Sequence, residues 1–275
     1  MSESVAGKIV IITGSSMGIG KALAIWLGKC GAKIIINARN ETRLKEAEGD
    51  LKALGIEVFS YAGDITQPLI AEGLIQFTIR QFGALDILVN NAGTSMRGRI
   101  ESVSADVLKS IYEINTIAPI MLTQMAIPYI KKQKGSIVFI SSLAGLKGLP
   151  FISIYCSAKM GLTAIADALR IEHREDKIHV GLVYVGITAV ENGKTTIGPN
   201  GEFIPLDERK GWHVSSLEHV AQKIAQNIMS RKNKTIIGLS GKIYYNLVRL
   251  FPTLADLLTR KTYKKQKLKK RIIIL

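Results

Sequence analysis

The sequence predicts an α/β fold in which helices cover both faces of one doubly wound parallel sheet. Short runs rich in β-branched residues alternate with longer amphipathic patterns over about 240 of the 275 residues. The β runs are apolar throughout, as strands are when both faces of a sheet are buried. We therefore expect one domain at residues 1–240 and a helical extension with a basic tail at 241–275.

Seven runs are predicted to be strands: residues 8–14, 32–38, 56–63, 85–93, 135–142, 177–185 and 234–239. Two of the intervening stretches, at 41–54 and 219–231, have the spacing of amphipathic helices. The carboxyl ends of parallel strands share one edge, where doubly wound sheets bind their ligands.

The net charge of +15 is concentrated at one end of the chain. Residues 260–275 contain eight Lys or Arg and no acidic residue, which accounts for about half of the excess. Neither interleaved aromatic residues nor a recognised binding motif accompanies this run. We therefore expect a solvated end and no nucleic-acid partner.

Cysteine content and hydropathy indicate the compartment. Cys30 and Cys156 are too few for a disulfide framework and lack metal-ligand spacing, so no metal site is predicted. No segment approaches the roughly 20 unbroken apolar residues that a membrane span requires. The start, "MSESVAGK", lacks the basic and apolar regions of a secretory signal, so we expect a cytoplasmic protein.

A glycine-rich loop, "TGSSMGIG", follows the first predicted strand and precedes a helix. This arrangement lets backbone N–H groups and the positive end of the helix approach a pyrophosphate. Such a triplet also occurs in ordinary tight turns, but its position after the first strand favours dinucleotide binding. The predicted contacts are Gly14, Ser16, Met17, Gly18, Ile19 and Gly20.

The end of the second strand should meet the adenosine ribose. The sequence "IIINARNE" has Ala38 where a carboxylate would bind the ribose hydroxyls, followed by Arg39 and Asn40. An arginine pairs with a 2′-phosphate, so NADP(H) is favoured over NAD(H). The alternative is that Arg39 is a surface residue that opens a helix.

A tyrosine and a lysine stand four residues apart in "SIYCSAKM", as Tyr155 and Lys159. On a helix this spacing places both on one face, and Ser142 ends a buried strand 13 residues earlier. The spacing alone is weak, because Tyr263 and Lys267 repeat it in the tail.

Five motifs in order make the chain resemble the short-chain dehydrogenase/reductase superfamily. They are "TGSSMGIG", "NNAG" at 90–93, Asn115 in "YEINTIAP", Ser142 in "ISSLAG" and "YCSAK" at 155–159. The resemblance covers about residues 6–240 and implies a Rossmann-like sheet. It also implies that Tyr155 exchanges a proton with a carbonyl or alcohol oxygen while hydride moves between the substrate carbon and nicotinamide C4.

The resemblance gives the neighbours of Tyr155 distinct roles. Ser142 would hold the carbonyl oxygen, and Lys159 would bind the nicotinamide ribose. To become a base at neutral pH, a phenol needs a pKa shift costing roughly 3–4 kcal/mol. An ammonium about 4 Å away supplies about 4 kcal/mol at an effective dielectric near 20, so we expect Lys159 to lower the Tyr155 pKa.

Asn115 would position a water for proton relay, or else make a purely structural hydrogen bond in its helix. Ser141 stands beside Ser142, but adjacent strand residues face opposite sides, and the family spacing selects Ser142. Neither His173, His179 nor Cys156 is expected to act chemically.

The resemblance implies further cofactor contacts at Asp64, Ile65, Asn91, Ala92, Gly93, Gly186 and Thr188. For Asp64 the alternative is a loop cap with Thr66. After the sixth strand the chain departs from the family, since Val185 replaces a proline and Val190 stands where a threonine is usual. Thr188 could serve the nicotinamide carboxamide instead.

Residues 187–212 form the expected substrate-covering loop, predicted to be a mobile flap. Beyond it, the extension is similar to membrane-associated carbonyl and hydroxysteroid reductases of the superfamily. It should form one apolar helical face and then a second short helix from Pro252. That face would contact an anionic membrane surface or, as we favour, the domain or a partner subunit. The residues of the predicted face are Tyr244, Leu247, Val248, Leu250 and Phe251.

The sequence thus predicts an NADP(H)-dependent reductase or dehydrogenase of a small carbonyl or alcohol. The C-terminal extension favours a lipid- or steroid-like substrate. A homo-oligomer is expected through the helices bearing Asn115 and Tyr155. The alternative from another class is a nucleotide-binding scaffold or regulatory protein with little turnover.

Overall fold

The computed structural model describes residues 4–209 and 214–272. Its main sheet has seven parallel strands in the order β3-β2-β1-β4-β5-β6-β9. A two-stranded antiparallel hairpin, β7 with β8, lies apart from it. The strands are β1 (Ile9–Thr13), β2 (Lys33–Ala38), β3 (Val58–Ala62), β4 (Ile87–Asn90), β5 (Ser136–Ser142), β6 (His179–Val185), β7 (Thr195–Ile197), β8 (Phe203–Pro205) and β9 (Lys234–Ile236).

All seven predicted strands are confirmed, and so is the doubly wound α/β fold. The strand order reverses between β1 and β4, so the carboxyl ends of these two strands flank the point where such sheets bind ligands. The last predicted strand was too long, because β9 ends at Ile236 and a helix already begins at Leu239.

Nine α-helices are found in the described residues. They are α1 (Gly18–Lys29), α2 (Glu41–Ala53), α3 (Pro68–Phe82), α4 (Ala105–Tyr112), α5 (Ala118–Gln133), α6 (Ser153–Glu172), α7 (Leu217–Met229), α8 (Leu239–Leu250) and α9 (Pro252–Ile272). The amphipathic patterns at 41–54 and 219–231 are therefore confirmed as α2 and α7.

The sheet separates two apolar layers, which explains why its strands are apolar throughout. On β1, Val10 and Ile12 pack with helices α1, α2 and α7. Ile11, between them, faces the opposite layer of α3, α5 and α6. Since successive side chains point to opposite faces, both sets must be apolar to be buried.

The C-terminal extension consists of α8 and α9. Helix α9 begins at Pro252 as predicted, but it has 21 residues and is not short. The extension packs on the domain through an ion pair between Lys147 and Asp256 and a ring contact between Phe151 and Tyr263. None of the helices in the described ranges is long and apolar enough to cross a membrane.

The predicted substrate-covering loop contains an ordered hairpin, which the sequence analysis missed. Residues 210–212 of that loop lie outside the described part of the chain. Strand β7 pairs with β8, and Met96 forms a parallel bridge with Ile197 of β7. The hairpin is thereby fixed against the loop that follows β4.

Candidate active site

Ser142 and Tyr155 meet at the carboxyl end of the sheet. Ser142 is the last residue of β5, and its hydroxyl interacts with the Tyr155 hydroxyl from the first turn of α6, which opposes the rise of the Tyr155 pKa. The neighbouring Ser141 instead donates to the backbone carbonyl of Lys159 at 3.1 Å. Ser142 therefore faces the cleft, as the family spacing predicts, and Ser141 fastens α6 to the sheet.

Lys159 lies one helical turn beyond Tyr155 and is almost fully buried, with 5% of its surface exposed. Its ammonium Nζ donates to the Ile140 carbonyl oxygen at 3.0 Å. Burial lowers the Lys159 pKa to about 8, because the charged form loses its hydration. The ammonium is thus held in a poorly solvated place beside the catalytic cleft.

The Tyr155 pKa lies above its ordinary value, so the expected lowering by Lys159 is wrong for the protein chain by itself. Burial is the main cause and raises the pKa, while the hydrogen bond from Ser142 and the charge of Arg209 oppose the rise. The phenol is therefore protonated at neutral pH. A protonated phenol suits proton donation to a carbonyl oxygen.

Asn115 lies in a π-helical turn, Glu113–Ile117, between α4 and α5. Its Nδ2 donates to the Thr94 and Ile111 carbonyl oxygens at 2.8 and 2.9 Å. The amide nitrogen therefore makes structural hydrogen bonds, as the alternative interpretation of Asn115 expected. Its buried Oδ1 accepts no hydrogen bond from the described residues. This free acceptor is what a water relay requires.

Gly93 lies beside the Asn115 side chain and borders the space in front of its Oδ1. A Cβ there would lie 2.6 Å from Asn115 Oδ1 and 3.1 Å from Lys159 Nζ. Only a glycine fits at this position, because the Asn115 amide oxygen and the Lys159 ammonium both lie close to it. The predicted neighbours Asn91 and Ala92 connect this loop to β1, since both backbone N–H groups donate to the Thr13 hydroxyl.

The glycine loop is shaped by close backbone approaches. A Cβ on Gly14 would lie 2.7 Å from the Ala92 Cα, and φ of Gly14 is +63°. At Gly20 a Cβ would lie 2.4 Å from the Gly14 carbonyl oxygen. The half-buried Ser16, Met17 and Ile19 complete the loop at the start of α1. Backbone N–H groups are therefore accessible where larger residues would block them.

Two charged residues of the substrate-covering loop lie over the glycine loop. The Gly18 N–H donates to Glu191 Oε2, and Lys194 Nζ lies 4.0 Å from the position of a Gly18 Cβ. A carboxylate thus occupies a donor predicted to bind pyrophosphate. Binding of a pyrophosphate at this donor requires Glu191 to move away.

Two arginines lie at the predicted ribose end. Arg39 is exposed, and its Nη1 is 3.6 Å from Asp64 Oδ2. Arg43, which the sequence analysis missed, places Nη1 3.2 Å from Met17 Sδ in the glycine loop. Its position four residues after Arg39, on the first turn of α2, was the available signal. Asn40 caps α2 by accepting from the Arg43 N–H at 2.8 Å.

The predicted adenine side is formed by the turn after β3. Asp64 Oδ1 accepts from the Thr66 N–H and hydroxyl at 3.0 and 2.9 Å, so the loop-cap alternative is observed. Its Oδ2 faces Arg39. The Ile65 side chain is buried in the core. Ile65 can therefore offer a cofactor little more than its backbone.

The segment after β6 runs beside Ser142, since Val185 is the register partner of Ser142. Gly186 follows, and the buried Thr188 donates its hydroxyl to the Gly186 carbonyl at 3.2 Å. Arg209 reaches the same segment, with Nη1 3.5 Å from the Thr188 carbonyl oxygen.

The two histidines set aside from the chemistry lie away from the cleft. His179 begins β6, at the end of the strand opposite Ser142. His173 follows α6 and pairs with Asp176. Cys156 is buried on α6. Within the described ranges, no group of three or more candidate side chains could hold a metal ion.

A family model described as short chain dehydrogenase matches residues 8–198. The chain belongs to the short-chain dehydrogenase family. The matched residues include the glycine loop, Ser142, Tyr155 and Lys159, and this short-chain dehydrogenase is accordingly an oxidoreductase.

Similar proteins support the assignment. An "11-beta-hydroxysteroid dehydrogenase-like 4A" from Arabidopsis thaliana is 38% identical over 80% of this chain and 72% of its own length. A "Dehydrogenase/reductase SDR family protein 7-like" from Drosophila melanogaster is 30% identical over 90% of this chain and 78% of its own. A metagenomic short-chain oxidoreductase, solved in complex with NADP, is 25% identical with a TM-score of 0.70. That alignment covers 86% of this short-chain dehydrogenase and 98% of the solved chain.

The site fits a nicotinamide dinucleotide. Gly14, Gly20 and Gly93 leave space that a Cβ would fill, and the buried Asn115 Oδ1 has no described partner. These features lie along the carboxyl edge of the sheet, from the glycine loop to Tyr155. This short-chain dehydrogenase therefore has a cradle that fits a cofactor, with the Tyr155 phenol beside it.

Proposed function

We propose that the protein interconverts a carbonyl compound and an alcohol by hydride transfer with NADP(H). The observation that carries this proposal is the convergence of Ser142, Tyr155, Lys159 and Asn115 beside the glycine cradle. A protein that only binds nucleotides does not need a half-buried phenol that interacts with a serine hydroxyl. This argues against the scaffold alternative.

The chemistry that a bound nicotinamide supplies is donation or acceptance of hydride at C4. In the reductive direction, the Tyr155 phenol donates its proton to the carbonyl oxygen, while the Ser142 hydroxyl stabilises the charge developing there. Asn115 Oδ1 holds a water near Lys159, through which a proton is replaced after turnover. In the oxidative direction the same groups act in reverse, and the phenol must first lose its proton.

The preference for NADP(H) is proposed from the charge at the ribose end. Arg39 and Arg43 offer two guanidinium groups. Ala38 occupies the position where a carboxylate would bind the ribose hydroxyls of NAD(H). We expect the purified protein to bind NADPH more tightly than NADH in fluorescence titrations. Replacing Arg39 with Ala should weaken NADPH binding about tenfold and leave NADH nearly unchanged, because only NADPH carries the 2′-phosphate.

Arg80→Ala is the matched control, because Arg80 lies in the last turn of α3, which leads to the amino end of β4. It should leave both affinities unchanged. Equal or tighter binding of NADH by the unmodified protein would overturn the NADP(H) assignment.

The substrate is proposed to have a lipid- or steroid-like apolar body. The name of the Arabidopsis relative, hydroxysteroid dehydrogenase-like, supports this proposal.

Association of subunits is proposed through α5, α6 and the turn bearing Asn115. Three large apolar side chains on these elements are exposed: Ile117, Met160 and Ile171. A contact between identical helices in two copies would bury these side chains.

Peripheral membrane contact is proposed through an exposed apolar strip on α8 and α9. Seven of the sixteen exposed large hydrophobic residues in the described chain lie in this strip: Leu239, Ile243, Leu250, Phe251, Leu254, Leu257 and Leu258. Of the predicted apolar face, Tyr244, Leu247 and Val248 are half-buried, whereas Leu250 and Phe251 are exposed and belong to this strip. Basic residues of α9 follow the strip, and apolar side chains beside cations favour an anionic lipid surface.

Liposome flotation tests the membrane proposal. The full-length protein should float with vesicles containing anionic lipid, and replacing Ile243, Leu250 and Leu254 with Ser should abolish flotation. The triple replacement L54S, L69S and L108S, on exposed leucines elsewhere, should float as the unmodified protein does. Equal flotation of both variants and the unmodified protein would exclude this surface as the membrane contact.

A further inference from the structure

A turn of the covering loop holds a carboxylate against the glycine loop. Gly18 is the first residue of α1, and its N–H donates to Glu191 Oε2 at 2.5 Å. Met17, which precedes it, makes no capping hydrogen bond through its side chain, so Glu191 supplies the acceptor at the start of the helix. The positive end of a helix stabilises a carboxylate for the same reason that it attracts a phosphate. Glu191 therefore occupies a place that suits a phosphate oxygen.

Lys194 brings the opposite charge to the same place. Its Nζ lies 4.0 Å from the position of a Gly18 Cβ. The Lys194 N–H donates to the Glu191 carbonyl oxygen at 3.2 Å, so the two residues are the ends of one tight turn. An anion that accepts from the Gly18 N–H would therefore lie beside the Lys194 ammonium, which can donate a charge-assisted hydrogen bond to it.

Backbone hydrogen bonds hold this turn on both sides. Before it, the Ala189 N–H donates to the Ser215 carbonyl oxygen at 2.9 Å. At its other end, the Leu206 N–H donates to the Lys194 carbonyl oxygen at 3.0 Å. Because the backbone is fixed in this way, rotation of the Glu191 side chain is enough to free the Gly18 N–H.

The same turn also approaches the proposed ribose end of the site. A Cβ on Gly193 would lie 3.7 Å from Arg43 Nη2. The turn thus extends from the donor at Gly18 to one of the two arginines proposed to bind the 2′-phosphate. A dinucleotide bound along the glycine loop would pass beneath Glu191 and Lys194.

We propose that Glu191 and Lys194 set the cofactor affinity with opposite effects. Glu191 occupies the phosphate donor in the free protein and has to be displaced, and Lys194 binds the diphosphate group that displaces it. This inference rests on the proposed function, since it requires a dinucleotide at the glycine loop, and it adds two residues of the covering loop to that site. Only the fraction of molecules whose donor is free binds directly, so the Glu191 contact weakens the apparent affinity.

Fluorescence titrations of NADPH into the full-length variants test the proposal. Glu191→Ala should bind NADPH about tenfold more tightly, and Lys194→Met about tenfold more weakly, the factor for one charge-assisted hydrogen bond. Both changes should appear equally with NADH, because both dinucleotides carry the diphosphate. Arg39→Ala, by contrast, should affect NADPH alone. Glu191→Gln keeps the side-chain volume and removes the charge, so it should also tighten binding and serves if the alanine variant does not fold.

The matched controls remove the same charges elsewhere. Glu202 lies in the same covering loop and accepts from the Asn200 N–H at 3.0 Å, so Glu202→Ala also removes a carboxylate bound to a backbone donor. Lys109 is exposed in the last turn of α4, and Lys109→Met removes an ammonium there. Neither control should change the affinity for NADPH or NADH.

Thermal unfolding gives a second readout that does not involve turnover. Without cofactor, Glu191→Ala should unfold at a lower temperature than the unmodified protein, because the start of α1 loses an acceptor. A fixed excess of NADPH should raise its unfolding temperature by more, since tighter binding stabilises the folded state further.

NADPH binding that is unchanged or weaker in both Glu191 variants would overturn the displacement, and unchanged or tighter binding by Lys194→Met would overturn the role of Lys194. Dinucleotide binding that no variant alters would contradict this inference and leave the proposed function standing. The expected affinity changes without reduction of any carbonyl compound would contradict the proposed reaction and support this inference. The two failures are therefore distinguishable.

Discussion

Replacing Tyr155 with Phe should reduce kcat/KM for carbonyl reduction by about 10³-fold, within the usual range for loss of a general acid. The change removes only the phenol oxygen, which interacts with the Ser142 hydroxyl and is the proposed proton donor. The ring that packs beside Met96 and Ile154 remains, so folding should be preserved. NADPH affinity should change little, and turnover and titration are measured on the same preparation.

Tyr112→Phe is the matched control for this variant. The Tyr112 hydroxyl donates to Ser157 Oγ at 2.8 Å on the exposed side of α6, so its loss also removes a phenol from the same region. This control should keep nearly full activity. If Tyr155→Phe retained more than a tenth of the unmodified activity, Tyr155 would not be the proton donor.

Replacing Lys159 with Met should abolish turnover and stabilise the fold. Burial lowers the Lys159 pKa from 10.5 to about 8. This difference corresponds to about 3 kcal/mol of cost for the buried ammonium. The hydrogen bond from Lys159 to the Ile140 carbonyl oxygen offsets part of that cost. Met fills a similar volume without charge, so the urea midpoint at pH 7 should rise while activity falls at least about 100-fold.

The stability difference between the unmodified protein and Lys159→Met should depend on pH. Between about pH 8 and 10.5 the unfolded chain holds a proton on Lys159 that the folded chain has lost. The free energy of unfolding contributed by this group therefore rises with pH across that window, and below it the full cost applies. The stability advantage of Lys159→Met should shrink from pH 8 to 10.5.

The exposed Lys29 provides the control, since it lies in the last turn of α1. Lys29→Met should change neither activity nor the pH dependence of the urea midpoint. A Lys159→Met protein that is less stable than the unmodified protein at pH 7 would show that the ammonium is well solvated, contrary to its buried position.

The strands could be predicted because each one is buried on both faces. That requirement leaves a continuous apolar run in the sequence, as at Ile9–Thr13. The placement of Ser142, Tyr155 and Lys159 could also be predicted, since they lie on a strand end and one helix face at fixed spacing. The half-buried hairpin of the covering loop has only three residues in each strand. A run of three residues is too short to show the alternation of apolar and polar residues that predicts a strand.

The charges over the cleft could not be predicted, since they depend on contacts between distant segments. Glu191 reaches Gly18 across 173 residues, and Arg209 reaches the Thr188 carbonyl oxygen across 21 residues. The direction of the Tyr155 pKa was missed for a related reason. A Coulomb estimate for Lys159 can be made from spacing, but desolvation depends on how the whole domain packs around the phenol.

Hydride transfer to a carbonyl compound tests the central claim most directly. The full-length protein and Tyr155→Phe are incubated with NADPH carrying deuterium at the transferred C4 position and with steroid ketones, oxo acids and aldehydes. The account predicts one deuterium at the former carbonyl carbon of the alcohol, formed by the unmodified protein and nearly absent with Tyr155→Phe. NADPH binding with no deuterium in any product, or equal transfer by both proteins, would contradict it.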